Sequence, residues 1–242
     1  MKKFGLIGKN ISHSFSREFF QEKFSQLQID AVYDNFDLEN IEEFKTVLRK
    51  NKQLKGLNVT IPYKESIIPF LDDLSAEAHQ IKAVNTIKFV DNRLIGYNTD
   101  AFGFMKSLFP ILEKQHSHAL ILGKGGASKA VAHALKSMGI EYHFVSRNPQ
   151  SNDFAYAELD EKIIHEHPLI INCTPLGTHP KVKDSPSIPY NFLKPSHLLY
   201  DLVYNPPITE FLAKGKIRGC SIYNGKKMLE YQAERAWQIW KE

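Results

Sequence analysis

The sequence predicts an α/β protein made of an N-terminal mixed α/β part and a C-terminal doubly wound parallel sheet. Short apolar runs rich in β-branched residues alternate with longer amphipathic segments along most of the chain. A glycine-rich turn directly follows a buried apolar run near the middle of the chain. With 242 residues, the chain is also long enough for one to two domains of about 150 residues each.

The first part combines a βαβ rhythm with a hairpin. Predicted strands alternate with predicted helices, at 4–7 and 15–27, 31–36 and 41–48, and 57–60 and 67–74. The segments 84–90 and 94–97, separated by Asp91-Asn92-Arg93, predict a hairpin. It would add an antiparallel pair to an otherwise parallel sheet.

The second part begins near residue 100. A helical stretch runs from Thr99 to about Lys114, and the polar linker Gln115-His116-Ser117 follows it. We therefore expect a domain boundary near residue 100. Apolar runs predict the strands of the second domain, at 118–122, 141–146, 169–173 and 198–203. Apolar residues at three- and four-residue spacing over 226–240 predict an amphipathic helix that closes the chain.

Composition excludes several classes of protein. Hydrophobic residues make up 43% and charged residues 24%, as in soluble globular proteins. No apolar run approaches the roughly 18 residues of a membrane span, and the N-terminus lacks a signal-peptide pattern. Two cysteines fit a reducing cytoplasm and form neither a disulfide framework nor a four-ligand zinc site. The net charge of +4 is spread along the chain, so we expect anionic small molecules as ligands, without nucleic acid or membrane partners.

The glycine-rich turn has the context of a dinucleotide-binding loop. Gly123-Lys124-Gly125-Gly126-Ala127-Ser128 lies between the strand at 118–122 and a helical run at 129–138. Glycines allow the backbone to approach a pyrophosphate at the N-terminus of the following helix. Ser128 stands where a third glycine is usual. The alternative is a glycine-rich turn without a ligand, but the flanking strand and helix favour a Rossmann domain.

The end of the next strand indicates which dinucleotide binds. NAD sites usually carry an Asp or Glu about 20 residues beyond the glycines, whereas this chain has Ser146-Arg147-Asn148. A guanidinium suits the 2′-phosphate of NADP(H). The alternative for Arg147 is a solvated side chain in a loop.

Four polar clusters of the first hundred residues fall where strands should end. They are 12–16, 58–64, Val84-Asn85-Thr86 and Asn98-Thr99-Asp100. Ligands of open α/β sheets bind beyond the carboxyl ends of the strands. Hydroxyl and amide groups with one lysine and one aspartate suit a small polyhydroxylated substrate.

Motifs in these clusters and beyond resemble those of the shikimate dehydrogenase family. In chain order they are S-x-S, N-V-T-x-P-x-K, A-V-N-T, N-T-D, G-x-G-G-A-S, N-x-T-P-L-G, D-x-x-Y-x-P and G-x-x-M-L-x-x-Q. The resemblance implies a two-domain enzyme that reversibly reduces 3-dehydroshikimate to shikimate with NADPH, in aromatic amino-acid biosynthesis. It also implies that the helix 223–242 completes the substrate domain 1–100, and that 101–222 is the NADP-binding domain. We expect a cytoplasmic monomer or homodimer.

The resemblance also assigns roles to matching positions. Lys64 matches the catalytic lysine, and Asp100 its partner. Ser14 and Ser16 match the residues that hold the substrate carboxylate. The matches around the ring hydroxyls are Asn58, Thr60, Asn85, Asp100 and Gln232. Tyr204 matches a tyrosine near the substrate at the domain junction. The cofactor-binding matches are Gly123, Gly125, Gly126, Ala127, Ser128, Ser146, Arg147, Asn148, Thr174 and Gly225. Departures from the family pattern are Lys124 within the glycine loop, Ala101 in place of Gly, and Thr178 where Met is frequent.

Each assignment has a structural alternative. Lys64 could be a surface lysine that starts a helix after Pro62, and Asp100 could cap the following helix. Ser14 and Ser16 could cap the helix that begins near Phe15, which is compatible with binding an anion. Outside these clusters, histidine spacing predicts no metal site, Cys173 is expected to be a packed thiol, and Trp237 and Trp240 are expected to be packing residues.

Two other functions remain open from the sequence. One is a related oxidoreductase that prefers quinate or uses NAD, and Arg147 argues only against the use of NAD. The other is a non-catalytic NADP-binding regulator, which should have lost Lys64 or Asp100, and both are present.

Overall fold

The computed structural model describes residues 1–12 and 14–242. His13, which falls in the first polar cluster, lies outside the described residues. The chain divides into two compact units. Unit 1 consists of Met1–Thr99 and Ala233–Glu242, and unit 2 of Asp100–Gln232.

Unit 1 is a mixed six-stranded sheet with helices. Its strands are β1 (Lys2–Gly8), β2 (Ala31–Asp37), β3 (Leu54–Val59), β4 (Asp73–Leu74), β5 (Thr86–Val90) and β6 (Arg93–Tyr97). Its helices are α1 (Phe15–Gln26), α2 (Phe44–Lys50) and α3 (Ala76–Ile81). The strand order is β2-β1-β3-β5-β6-β4. β1 pairs in parallel with β2 and β3, whereas β5 is antiparallel to both β3 and β6.

The predicted hairpin is confirmed as β5 and β6. Val90 pairs with Arg93, so the connecting turn has two residues, one fewer than the sequence suggested. Asp91 and Asn92 have φ values of 47° and 63°. Positive φ at both central residues is what a two-residue turn needs to match the twist of the strands, and Asp and Asn tolerate it.

The helix predicted over 67–74 is wrong. Only one 3-10 turn forms there, at Ile68–Phe70, and it contains Pro69, which has no N–H to donate. The chain then runs along the free edge of β6, where Asp72 N–H donates to the Leu94 carbonyl and Ser75 N–H to the Gly96 carbonyl. Backbone hydrogen bonds to the edge strand β6 therefore hold this segment extended, although its apolar pattern also fitted a helix.

Aromatic residues of the C-terminal helix α8 (Lys226–Lys241) complete a core of unit 1. The Trp237 and Trp240 rings lie 5.9 and 4.9 Å from the Phe4 ring. Trp240 Nε1 donates to the Ile87 carbonyl at 3.0 Å. A side chain at Gly56 would overlap the Trp240 indole, so the glycine allows this close packing. The packing role predicted for both tryptophans is confirmed.

Unit 2 is a doubly wound sheet of six parallel strands. They are β7 (His118–Leu122), β8 (Glu141–Ser146), β9 (Phe154–Ala155), β10 (Leu169–Asn172), β11 (Leu198–Asp201) and β12 (Ser221–Asn224). Its helices are α4 (Asp100–Leu108), α5 (Gly126–Ser137), α6 (Glu161–Glu166), α7 (Glu210–Ile217) and the first part of α8. The order β12-β11-β10-β7-β8-β9 reverses direction between β7 and β10. Dinucleotides bind at such a switch point. The predicted fold class is confirmed.

Two boundaries near the start of unit 2 differ from prediction. α4 ends at Leu108 rather than near Lys114, because Pro110 follows in a 3-10 turn at Phe109–Ile111. His116 of the expected polar linker is buried, and its Nδ1 accepts from Glu113 N–H at 3.0 Å. Among the described residues, no helix has the length and apolarity needed to cross a membrane.

Candidate active site

A buried polar network lies at the ends of the unit 1 strands. Asn58 Nδ2 on β3 donates to the Asn85 carbonyl and to Thr86 Oγ1, each at 3.2 Å. Asn85 Nδ2 donates to Thr99 Oγ1 at 3.0 Å, and Asn85 Oδ1 accepts from Thr99 N–H at 2.7 Å. All four residues are at most 4% exposed. Buried, mutually bonded amides hold fixed orientations, so they can present a rigid polar surface to a ligand.

Tyr33 extends this network towards Ser16. Its hydroxyl donates to Asn58 Oδ1 at 2.8 Å and also hydrogen-bonds with Ser16. Burial raises the pKa of Tyr33 well above its usual value, against the smaller lowering effect of the Ser16 bond. Tyr33 is therefore a neutral donor that orients Asn58. Sequence reasoning missed it, because a tyrosine within a strand resembles any other core aromatic residue.

Ser14 has a buried hydroxyl at the start of α1. It occupies the N-cap position of α1, yet its side chain makes no capping hydrogen bond. Its Oγ is buried and has no hydrogen-bond partner among the described residues. An unpaired buried hydroxyl costs about 1–3 kcal/mol, which a ligand oxygen could recover. The capping alternative for Ser14 is thus not what the structure shows.

The loop that carries Lys64 is anchored on three sides. Thr60 N–H donates to the Ile7 carbonyl at 2.8 Å, and the Tyr63 hydroxyl donates to the Leu38 carbonyl at 2.6 Å. The Lys64 carbonyl accepts from Val84 N–H at 2.7 Å. Lys64 is half-buried in a turn, and no helix begins there, contrary to the structural alternative. Its position is therefore set by the ends of β1 and β2 and by the A-V-N-T segment.

Asp100 and Gln232 lie on two closely packed helices of unit 2. Asp100 is the first residue of α4 and is 5% exposed, and Gln232 on α8 is 8% exposed. A Cβ at Gly103 would lie 2.6 Å from the Met228 carbonyl oxygen and 3.0 Å from the Gln232 Cβ. Residues three apart share a helix face, so Asp100 and Gly103 lie on the same side of α4. Gly103 thus allows α8 to place Gln232 against that side.

The glycine loop leaves open space at the N-terminus of α5. Gly123 has φ of +100°, and a Cβ there would lie 3.0 Å from Thr174 Cγ2, across the switch point. Gly125 is the N-cap of α5, and a Cβ there would meet nothing within 4 Å. Ser128 Oγ donates to the Gly125 carbonyl at 2.7 Å. Free N–H groups beside open space fit a pyrophosphate.

The end of β8 offers groups for a phosphate. The Ser146 hydroxyl is buried without a partner among the described residues, and Arg147 is exposed. Burial raises the pKa of Tyr156, and the charge of Arg147 partly offsets this, which places the guanidinium near that ring. The segment 146–148 contains no carboxylate. The Ser146 hydroxyl and the Arg147 guanidinium are therefore suited to bind the 2′-phosphate of NADP(H).

A network at the ends of β10 and β11 holds Thr174. Thr174 Oγ1 donates to Asn172 Oδ1 at 2.6 Å, and Asn172 Nδ2 donates to Asp201 Oδ1 at 2.9 Å. Thr209 Oγ1 donates to Asp201 Oδ2 at 2.5 Å. Burial raises the pKa of Asp201 to about 6, and the hydrogen bonds from Thr209, Val203 N–H and Asn172 oppose this rise. Asn172 and Asp201 belong to quoted motifs, but their role as supports was not predicted.

The remaining predicted residues of unit 2 lie beside this network. Tyr204 is 36% exposed. A Cβ at Gly225 would overlap the Leu202 carbonyl oxygen, so only glycine fits there. Burial and the nearby Asp201 carboxylate raise the pKa of Cys173 well above its usual value, which disfavours the nucleophilic thiolate. Within residues 1–12 and 14–242, no three His, Cys, Asp or Glu side chains are grouped so as to hold a metal ion.

The structure therefore collects the predicted residues at strand ends. In unit 1, Ser16, Asn58 and Asn85 belong to one network, whereas Ser14 lies at the N-cap of α1 and Thr60 and Lys64 lie in the segment that follows β3. In unit 2, the phosphate loop lies beside Thr174.

Comparisons with known proteins identify one family. The family model for the shikimate dehydrogenase substrate binding domain matches residues 6–87. A shikimate dehydrogenase (NADP(+)) from Caldicellulosiruptor saccharolyticus is 37% identical, covering 99% of this chain and 92% of the relative.

Solved structures are similar over the same length. The shikimate dehydrogenase of Aquifex aeolicus has a TM-score of 0.89 at 34% identity, covering 99% of this chain and 92% of that one. The Thermus thermophilus enzyme in complex with NADP(H) and shikimate has a TM-score of 0.88 at 32% identity, covering 99% and 93%. By full-length similarity in both sequence and structure, the chain belongs to the shikimate dehydrogenase family.

Proposed function

We propose that this protein is an NADP-dependent oxidoreductase that reversibly reduces 3-dehydroshikimate to shikimate. Curated relatives are named shikimate dehydrogenase (NADP(+)). One similar enzyme was solved with NADP(H) and shikimate bound. The observation that carries the proposal is the rigid network of Asn58, Asn85 and Thr99 at the strand ends. Lys64 is anchored by the same segments, within the part matched to a substrate binding domain.

Hydroxyl and amide groups would bind the substrate. We assign its carboxylate to Ser14 and Ser16, of which Ser14 has an unpaired hydroxyl. The ring hydroxyls would bind Asn58, Thr60, Asn85 and Gln232, since amides both donate and accept, as an alcohol requires. Tyr204 completes the proposed set. A ring with several hydroxyls and one carboxylate uses all of these groups.

Lys64 would carry the proton. Reduction of the ketone requires a proton at its oxygen, and the Lys64 ammonium would donate it; in the reverse direction the amine would accept the hydroxyl proton. Asp100 follows Thr99 directly in the chain, and Thr99 is fixed by Asn85. We assign to the Asp100 carboxylate the role of orienting the ammonium and accepting from a neighbouring substrate hydroxyl. When bound, the cofactor supplies the hydride to the carbonyl carbon and recovers it in the reverse reaction.

Unit 2 would bind NADP(H). The pyrophosphate would lie on the phosphate-loop residues Gly123, Gly125, Gly126, Ala127 and Ser128. Ser146, Arg147 and Asn148 would bind the 2′-phosphate, because a guanidinium and neighbouring polar groups suit that dianion. Thr174 and Gly225 would line the site from the ends of β10 and β12. We further propose a cytoplasmic monomer or homodimer, which size-exclusion chromatography with light scattering would distinguish.

The proposal is tested by following nicotinamide reduction at 340 nm with purified protein. Shikimate and quinate are each offered with NADP⁺ and with NAD⁺. We expect the highest kcat/KM for shikimate with NADP⁺. A preference for quinate or NAD⁺ would assign the chain to the related oxidoreductase. Absence of turnover with all four pairs, in a folded protein that binds NADP⁺, would indicate a non-catalytic regulator.

A further inference from the structure

Lys124 links the glycine loop to the loop that follows β8. Its Nζ lies 2.7 Å from Asp153 Oδ2 and 3.1 Å from Gln150 Oε1. The ammonium also lies 5.3 Å from the centre of the Phe144 ring, on β8. β7 and β8 are parallel neighbours, with Leu122 opposite Val145. The two loops therefore begin side by side at the carboxyl ends of these strands. The sequence comparison noted Lys124 only as a departure from the family pattern.

Asp153 is fixed and well shielded within the second loop. Its Oδ2 also accepts from Gln150 N–H at 2.8 Å, and its own N–H donates to the Gln150 carbonyl at 2.9 Å. The side chain is 7% exposed. Burial raises the pKa of Asp153, but the hydrogen bonds from Lys124 and Gln150 N–H and the lysine charge outweigh it, so the pKa falls below its usual value. A carboxylate anion therefore lies six residues after Arg147.

This carboxylate is of the type that distinguishes the two cofactors. An Asp or Glu beyond the second strand accepts from the ribose 2′-hydroxyl of NAD, and it repels the 2′-phosphate of NADP. Asp153 is the only carboxylate in the segment 146–153. With Lys124 bonded to it, the charge of Asp153 is balanced. Without Lys124, an unbalanced carboxylate would lie six residues after Arg147, where it would repel a bound 2′-phosphate.

We propose that Lys124 is a specificity-determining residue that favours NADP(H) over NAD(H) by neutralising Asp153 and holding its loop against the glycine loop. The inference rests on the proposed function, because it takes the 2′-phosphate to bind at Arg147. It adds a second element to cofactor choice, placed inside the glycine loop, where the family pattern has no lysine. The ligand class is a dinucleotide with a 2′-phosphate.

A double-mutant cycle on the full chain tests the proposal. The variants are Lys124→Met, Asp153→Asn and the two combined, and kcat/KM is measured for NADP⁺ and NAD⁺ at saturating shikimate. Lys124→Met keeps an unbranched side chain of similar length and removes the charge together with its hydrogen bonds to Asp153 and Gln150. We expect Lys124→Met to lower the NADP⁺ to NAD⁺ ratio about tenfold, the effect of one partly screened charge on a dianion. Asp153→Asn should keep or raise the ratio, and the double variant should return to within about threefold of wild type.

Ionic strength and cofactor binding give independent readouts. Because the expected loss is electrostatic, it should shrink as salt rises from about 0.05 to 0.5 M. Fluorescence titration with NADPH and NADH reports binding without turnover. Arg147→Ala serves as the reference for direct loss of a phosphate contact.

Two results would overturn the inference. Equal losses for both cofactors would give Lys124 a purely structural role. A double variant as impaired as Lys124→Met would show that neutralising Asp153 is not its function. Neither result would contradict the proposed function. That proposal is contradicted only if the wild-type protein does not oxidise shikimate with NADP⁺.

Discussion

At the residue scale, two of the hydroxyls assigned to ligands are buried groups without a hydrogen-bond partner in the described part of the chain. Among the described residues, only Ser14 Oγ, Asn35 Oδ1, Ser146 Oγ and Trp237 Nε1 are buried side-chain atoms of this kind. Native proteins pair nearly all buried polar atoms, so each exception requires a reason. Ser14 lies in the proposed substrate site and Ser146 in the proposed phosphate site. Ligand binding would explain both.

Ser14→Ala should weaken substrate binding without weakening the fold. We expect KM for shikimate to rise about tenfold, the value of one hydrogen bond to a carboxylate, with little change in KM for NADP⁺. The melting temperature should stay level or rise, because the variant removes an unpaired hydroxyl. Ser12→Ala, at an exposed position, is the control. A drop in stability of about 1 kcal/mol with unchanged kinetics would instead identify a helix cap.

Lys64→Ala should separate catalysis from binding. Loss of general acid–base catalysis lowers kcat by about 10²–10⁴, with a smaller change in shikimate affinity. Lys64→Met tests the same role with less loss of volume, and Lys55→Ala, exposed on β3, is the control. Turnover near the wild-type level in a folded Lys64→Ala protein would show that the proton comes from another group or from water.

At the scale of elements, the glycines in loops at strand ends differ in how much space surrounds them. Gly125 faces open space, whereas a Cβ at Gly225 would overlap a backbone carbonyl. One glycine thus leaves room for a ligand, and the other is required by the fold itself. Both belong to motifs that the sequence comparison treated alike.

Substitution by alanine should distinguish these two glycines. Gly125→Ala should melt like wild type but raise KM for NADP⁺ at least about tenfold, because the new methyl group enters the pyrophosphate site. Gly225→Ala should lower stability by about 2 kcal/mol or more, since Leu202 must move. Differential scanning fluorimetry and steady-state kinetics measure both effects. Unchanged NADP⁺ kinetics in Gly125→Ala would remove the phosphate loop from the cofactor site.

Asp201, the last residue of β11, is a buried acid whose titration should affect the stability of the fold. The pKa of Asp201 is about 6 in the folded protein and 3.8 as its ordinary value. Between these values the folded state retains a proton that the unfolded chain has lost, so Asp201 reduces stability as pH rises through this window. Asn does not titrate, and Thr209 can accept from it by rotating its hydroxyl.

Thermal melts of Asp201→Asn should therefore gain on wild type as pH increases from about 4 to 7, by about 1–3 kcal/mol in total. Asp153→Asn provides the control. The pKa of Asp153 is lowered from its ordinary value of 3.8, so its stabilising contribution is lost only below that pH, and the melting difference for this variant should vary little between about pH 4 and 7. A melting difference for Asp201→Asn that does not vary with pH would contradict the buried titration.

At the scale of the whole molecule, each unit has its own hydrophobic core. The chain leaves unit 1 after Thr99 and returns to it at Ala233. The returning segment adds Ala233, Ala236 and Trp237 to a core formed by β1, α1 and β2. The cofactor residues proposed above all lie in unit 2.

Trp237→Ala should thus destabilise unit 1 while cofactor binding survives. Removing this indole, which is 6% exposed, should cost about 3–5 kcal/mol. Trp237→Phe should cost much less, because Trp237 Nε1 has no partner among the described residues. Urea unfolding measures stability, and NADPH titration at 20 °C measures binding. A parallel loss of NADPH affinity in the folded variant would contradict the assignment of the cofactor site to unit 2.

Local signals in the sequence were sufficient for much of the fold. Alternating apolar runs placed β1, β2, β7 and β8 to within two residues, and the context of Gly123 to Ser128 identified the turn between β7 and α5. Such features depend on side chains adjacent in the chain, which pattern rules can read. The short strands β9 and β12 were not predicted, because an edge strand needs only a neighbour with free backbone groups.

The family and its chemistry were also determined by the sequence, through motifs spread over the chain. What only the tertiary structure decided is which polar groups are paired and which remain available. Tyr33 meets Asn58, Lys124 meets Asp153, and Asn172 meets Asp201 across 25 to 29 residues. Hydrogen bonds and ion pairs depend on distances between segments that the sheet topology brings together. The sequence therefore determined the candidate site residues, and folding determined which of them can still bind a ligand.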